Sequence, residues 1–177
     1  PGTGRDDPLT LQRKGVDLMH LARYAEAAEV FDSLLEASPG DTVAAMNRGE
    51  AFMYLGDYEE AAGSFGRVLE GNPGALIGRG RALERLGRYD EALEAIDQAV
   101  QTGPAATGLL ARKAWLLEGL GRYAEAADCY EALWKADQDA GENLLNLGIV
   151  LATLGRYDEA LVWFRHAVEA DPDDPFA

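Results

Sequence analysis

Chemistry at an active site needs a nucleophile or base and a way to hold charge, and this 177-residue chain has few such groups. It has two histidines, His20 and His166, and one cysteine, Cys129, far apart in sequence. A thiol and an imidazole act together only within hydrogen-bond reach, so this pair depends wholly on how the chain folds. The cysteine and histidines lack zinc-ligand spacing. Gly78-Arg79-Gly80-Arg81 is glycine-rich, but it has no third glycine and no strand before it, so it is a poor phosphate loop. The 31 acidic side chains are dispersed at helical spacing and read as solvated faces with i,i+4 pairs. The expectation is a protein that is not an enzyme, with no metal and no cofactor.

Composition narrows the partners. A formal net charge of −15 argues against nucleic acid, which a protein grips by displacing counterions with basic groups, and against anionic membrane surfaces. A single cysteine excludes an intrachain disulfide and fits a reducing, cytoplasmic setting. No apolar run approaches the ~18 residues of a membrane span. A hydrophobic share of 47% is ample for a folded chain.

The elements that position these residues recur. Leu86-Gly87-Arg88-Tyr89-Asp90-Glu91-Ala92-Leu93 returns unchanged at Leu154 to Leu161. Edited copies follow Leu21, Leu55 and Leu120. The turn tyrosines are 34 residues apart from Tyr24 to Tyr58, from Tyr89 to Tyr123 and from Tyr123 to Tyr157, but 31 apart from Tyr58 to Tyr89. Fixed-period self-similarity signals stacked units, each packing on its neighbours. Each unit reads as two amphipathic helices around a Leu-Gly-Arg-Tyr turn, with glycine as the C-cap and the acidic residues after each tyrosine suiting the start of the second helix. Asp7-Pro8 is a good helix start. Pro39, Pro73, Pro104 and Pro172 read as the ends of four second helices.

The pattern resembles the tetratricopeptide repeat (TPR) family over residues 8–174. The last repeat carries Leu144, Leu147, Gly148, Leu151, Ala160, Phe164, Ala167 and Pro172 at the family offsets. The first carries Leu11, Gly15, Leu18, Ala27, Phe31, Leu34 and Pro39. The resemblance implies an all-α, right-handed α-solenoid of five helix-turn-helix units, at 8–41, 42–72, 73–106, 107–140 and 141–174. Residues 1–7, without apolar periodicity, read as a disordered lead, and 175–177 fit the start of a truncated further repeat. The family's buried leucine before the glycine is replaced by Lys14, Arg48, Arg79 and Lys113, and only Leu147 keeps it. A basic stem can bury its methylenes beneath a solvated charge; the other reading is a functional basic row. The Lys/Arg-Gly variant resembles prokaryotic and archaeal arrays.

Family geometry places a concave groove along the first helix of each repeat. The residues it assigns there are Arg13, Val16, Met19 and His20 in the first repeat and Met46, Asn47, Glu50, Met53 and Tyr54 in the second. Ile77, Arg81 and Arg85 follow in the third, Arg112 and Trp115 in the fourth, and Leu145, Asn146 and Ile149 in the fifth. This face is apolar for a surface and holds all three methionines, side chains that adapt to irregular partners. Its apolar groups either meet a partner or pack on the next repeat. Trp115 is the expected anchor. The Lys and Asn of the chaperone carboxylate clamp are replaced by Gln12 and Val16, so that clamp is not expected.

The function implied is a non-catalytic protein- or peptide-binding scaffold. One alternative is a scaffold that self-associates through its array ends; another is a regulatory segment of a larger enzyme or sensor. The 31-residue interval predicts a short first helix in repeat three, over about Ala75 to Leu86, and a disturbed superhelix there. Without a capping helix, the last helix is expected to leave a face open around Val162, Trp163 and Val168, able to form a homodimer, and the natural chain is expected to continue.

Overall fold

The computed structural model describes residues 7–68, 72–102, 106–136 and 141–170. Its ten helices fall into two compact units, Pro1–Thr102 and Gly103–Ala177. The first holds α1 (Pro8–His20), α2 (Tyr24–Ala37), α3 (Thr42–Leu55), α4 (Tyr58–Gly66), α5 (Pro73–Arg85) and α6 (Tyr89–Thr102). The second holds α7 (Ala106–Gly119), α8 (Tyr123–Ala136), α9 (Gly141–Thr153) and α10 (Tyr157–Ala170). There is no strand among the described residues. Within each unit every helix packs on the one before it, so each unit is a stack of helix-turn-helix pairs, as the repeats predict.

The starts of the first helices follow from capping chemistry. The Asp7 carboxylate accepts from Leu9 N at 3.0 Å and Thr10 N at 3.1 Å, with Pro8 next. Asp41 caps α3 through Ala44 N at 2.9 Å, and Asn72 caps α5 through Ala75 N at 3.1 Å. Proline fits a helix's first turn because its missing N–H would have no partner there. Pro73 occupies that place in α5. It therefore opens a first helix instead of ending a second one. Pro39 follows the end of α2 as expected, while Pro104 and Pro172 lie outside the described residues.

All five turns share one hydrogen-bond pattern. In the second, Gly56 N donates to Met53 O and Asp57 N to Phe52 O, and the other four repeat this pair at the matching positions. This Schellman closure needs a left-handed residue. Gly56, Gly87, Gly121 and Gly155 supply it with φ of 71 to 80°, whereas Ala22 takes the same place at φ 57°. The arginine after the glycine then grips the glutamate three residues on through two nitrogens. Arg23–Glu26, Arg88–Glu91, Arg122–Glu125 and Arg156–Glu159 all do so, at 2.5 to 2.7 Å. The second turn has Asp57 instead and lacks this clamp; there Arg88 of the next turn reaches back to Glu59 at 3.0 Å.

Aromatic rings set the spacing between helices. Phe31 and Phe65 are fully buried. Phe65 of α4 lies between two glycines, Gly49 of α3 and Gly78 of α5, where a Cβ would stand 2.7 and 2.8 Å from its ring. Phe31 covers Gly15, and Phe164 covers Gly148, in the same way. A ring therefore fills the space that an absent side chain leaves.

The 31-residue interval acts elsewhere than expected. α5 has 13 residues, as do α1 and α9, so the first helix of repeat three is not shortened. α4 has nine residues where α2, α6, α8 and α10 have 14. It ends at Gly66, and the chain closes with tighter bonds from Arg67 N to Ser64 O and from Val68 N to Phe65 O. Glycine's entropic cost in a helix favours the break there. Val68 then turns into the core with Leu34, Leu35, Ala44, Ala45 and Ala75.

Candidate functional site

In Pro1–Thr102, α1 lies against α3 and α3 against α5, while no comparable contact joins α2 to α4 or α4 to α6 among the described residues. The first helices therefore crowd one side of this unit. On that side an open notch of about 300 Å³ is lined by Val16, Met19 and His20 of α1, Tyr24 of α2, and Asn47, Glu50 and Tyr54 of α3. Six of these seven are residues that the repeat pattern assigned to a groove. Tyr24 is the addition. Its ring stacks on Tyr54 with centroids 4.6 Å apart and planes within 10°. In the sequence it served only to mark the turn; the signal available was that a turn tyrosine sits one helical turn from the end of the first helix.

The notch combines apolar and polar reach. Val16 and Met19 are half-buried and packed on the core, whereas Tyr54 is 64% exposed. Asn47 offers both a donor and acceptors. Glu50 lies 4.0 Å from Arg81 of α5, a loose pair with both partners exposed enough to be screened.

The remaining assigned residues of this unit divide. Met46 is half-buried against the core and would touch a side chain placed at Gly74, so it packs between α3 and α5. Met53 and Ile77 are half-buried, and Arg13 is exposed. Arg85 holds its guanidinium 5.5 Å from the centre of the Tyr58 ring.

In Gly103–Ala177 a second hollow of about 410 Å³ is lined by Trp115, Glu118 and Gly119 of α7, Tyr123 of α8, and Ile149, Val150 and Thr153 of α9. It has the same ingredients as the notch, including a turn tyrosine. Trp115 is 59% exposed. Glu118 is held by the Tyr130 hydroxyl, which donates to it at 2.5 Å. Arg112, Leu145 and Asn146 are half-buried.

The open apolar face of the last pair differs in part from expectation. Leu145 and Ile149 of α9, with Leu161, Phe164 and Val168 of α10, line a hollow of about 750 Å³. Val168 was expected there. Trp163 instead packs edge-on against Trp134 of α8 at 5.0 Å, with His166 beside both rings. Val162 is exposed but outside the hollow. A helix presents residues three or four apart on one face, which groups Leu161, Phe164 and Val168 and separates them from their neighbours in sequence. Phe176-Ala177, read as the start of a further repeat, lies outside the described residues.

One of the four basic substitutions is placed distinctly. Arg48 is structural: its side chain is 15% exposed and donates to Asp32 at 2.6 Å, Glu60 at 2.9 Å and Ser64 Oγ at 2.5 Å. Desolvation works against its charge, but the hydrogen bonds to Glu60 and Asp32 outweigh it and raise its pKa. Gly78 and Gly80 lie inside α5 against Phe65 and Ile96, so they are packing positions and not a phosphate loop. In the turn clamps, hydrogen bonds from the arginines hold Glu26, Glu91, Glu125 and Glu159 below the usual carboxylate range. Cys129 is buried in α8. Among the described residues no helix is long and apolar enough to cross a membrane.

Stacked helix pairs define the class of α-helical repeat proteins. The sequence model of the tetratricopeptide repeat matches residues 46–107 and 112–175, more than half of the chain, and the protein belongs to that family. No curated protein matches the sequence. Solved structures do: a crystal structure of MamA has 17% identity over 93% of this chain and 92% of its own, with a TM-score of 0.83. YrrB, described as a TPR protein with an unusual peptide-binding site, has 21% identity over 96% of this chain and 89% of its own, with a TM-score of 0.79. At these identities the likeness is one of fold.

Proposed function

We propose that the chain is a non-catalytic scaffold that binds a protein or peptide segment on its first-helix face, with the notch between α1 and α3 as a principal contact. The observation that carries this reading is the convergence of Val16, Met19, His20, Asn47, Glu50 and Tyr54 in one open notch, buttressed by the stacked Tyr24. Adaptable apolar side chains beside a carboxamide and a carboxylate suit an extended segment. The apolar groups hold alternate side chains, and Asn47 can pair with the main chain. Trp115, exposed beside Ile149, is proposed as a further anchor in the fourth and fifth repeats. TPR proteins are in general protein-interaction modules, and YrrB is described as having an unusual peptide-binding site. A cytoplasmic setting belongs to the same reading, resting on the single cysteine.

A second reading has its own observation. The hollow lined by Leu161, Phe164 and Val168 is apolar and open, so self-association through this end competes with peptide binding as the chain's main role. Panning a displayed random-peptide library on the full-length protein separates the two. Enriched peptides whose capture disappears with Met19→Glu, at unchanged helical circular dichroism, support the notch. No enrichment, together with a concentration-dependent dimer broken by Leu161→Glu, supports self-association instead.

A further inference from the structure

The side of the first unit away from the notch carries a different feature. Arg48 and Arg79 hold equivalent places, each ten residues before its turn tyrosine. Arg48 has three partners: Asp32 on the preceding second helix, and Glu60 and Ser64 on its own. The equivalent positions around Arg79 are Gly66, Glu91 and Ala95. Two of the three partners are thus missing, and Glu91 is already gripped by Arg88. The place of Asp32 is acidic in two other repeats, as Asp97 and Glu131, so Gly66 is the exception among the second helices that precede a first helix.

The truncation of α4 opens the surface at this point. A dent of about 440 Å³ is lined by Glu59, Ala62, Gly63, Gly66 and Arg67 of α4 and its end, by Arg79 and Leu83 of α5, and by Arg88. A side chain added at Gly63 or Gly66 would meet nothing within 4 Å. Among the described residues neither Arg67 nor Arg79 has an ion pair, while Arg88 is paired with Glu59 and Glu91. In a chain of net charge −15, this dent collects three guanidiniums against one carboxylate, Glu59, and that carboxylate is paired with Arg88 and not with Arg67 or Arg79.

We propose that the dent is a binding site for a phosphate dianion, free or carried as a phosphate monoester on a peptide, with Arg79 and Arg67 as its principal ligands. The anion takes the place that Asp32 fills for Arg48. Two guanidiniums without an ion pair of their own match a dianion better than a single carboxylate, and planar N–H forks suit phosphate oxygens. The site is independent of the notch and lies on the second-helix side.

The test titrates inorganic phosphate, a phosphoserine peptide and its unphosphorylated form into the full-length protein at constant ionic strength. Two variants remove the site by opposite routes. Arg79→Leu deletes the ligand and is tolerated, because Leu147 sits fully buried at the same place in the fifth repeat. Gly66→Asp restores an internal carboxylate and blocks the dent. The expected result is phosphate binding by the wild type that falls about tenfold or more in both variants, with the unphosphorylated peptide inert. Tighter binding of the phosphopeptide than of inorganic phosphate identifies the peptide-borne source; equal binding identifies the free anion. No phosphate binding by the wild type, or equal binding in wild type and both variants, overturns the proposal.

Discussion

At the scale of single residues, small departures from the repeat carry measurable energy. Ala22 stands where the other four turns have glycine, at φ 57°. A left-handed backbone costs an L-residue roughly 1–2 kcal/mol. Part of that is cancelled because glycine orders from a freer unfolded chain, so Ala22→Gly should stabilise the protein by about 0.5–1 kcal/mol. Equilibrium urea unfolding checks this, and an unchanged or lower stability would refute it. Arg48 is the opposite case. Arg48→Ala leaves Asp32, Glu60 and the buried Ser64 without their shared donor, and the expected loss is about 2 kcal/mol by the same measurement. The sequence showed that a basic residue replaces the family's leucine. It did not show that Arg48 would be held on three sides, because its partners stand 12 to 16 residues away in the chain.

At the scale of elements, the glycines and clamps set how helices meet. Gly49→Ala and Gly78→Ala each drive a methyl into the buried Phe65 ring and should cost about 1–3 kcal/mol. Gly80→Ala meets nothing closer than Ile96 at 3.4 Å, so helix propensity dominates and the variant should be neutral or more stable by up to about 1 kcal/mol. Thermal denaturation of the three variants side by side is the check. The Arg–Glu clamps predict a pH dependence. Glu26, Glu91, Glu125 and Glu159 have folded-state pKa values below their unfolded ones. Their contribution is complete above the ordinary glutamate range and is lost as pH falls through the depressed values. Replacing all four by glutamine should flatten the loss of stability on acidification relative to wild type; parallel curves would show the clamps to be energetically silent. Helix starts, turns and repeat count were legible in the sequence because they are written in local chemistry. The site of the three-residue loss was not. A spacing of 31 says how many residues are missing, and only the cap at Asn72 with Pro73 behind it shows that the first helix survives and the second is cut.

At the scale of the whole chain, the proposed function rests on which faces the repeats leave open. Of the residues that family geometry assigned to a groove, six meet in a notch of the first unit. What was not legible is how the set divides. Met19 and Met46 both pack on the core, but Met19 also lines the open notch, while Met46 lies against Gly74 of α5. That division supplies the most direct test. The chain has three methionines, Met19, Met46 and Met53, so methyl-labelled protein should give three resolved signals. Titration with a peptide selected on the full-length protein should shift the Met19 methyl strongly and leave the core-packed Met46 methyl nearly unmoved. A peptide that binds the protein while the Met19 signal stays where it was would contradict the notch as the site of recognition.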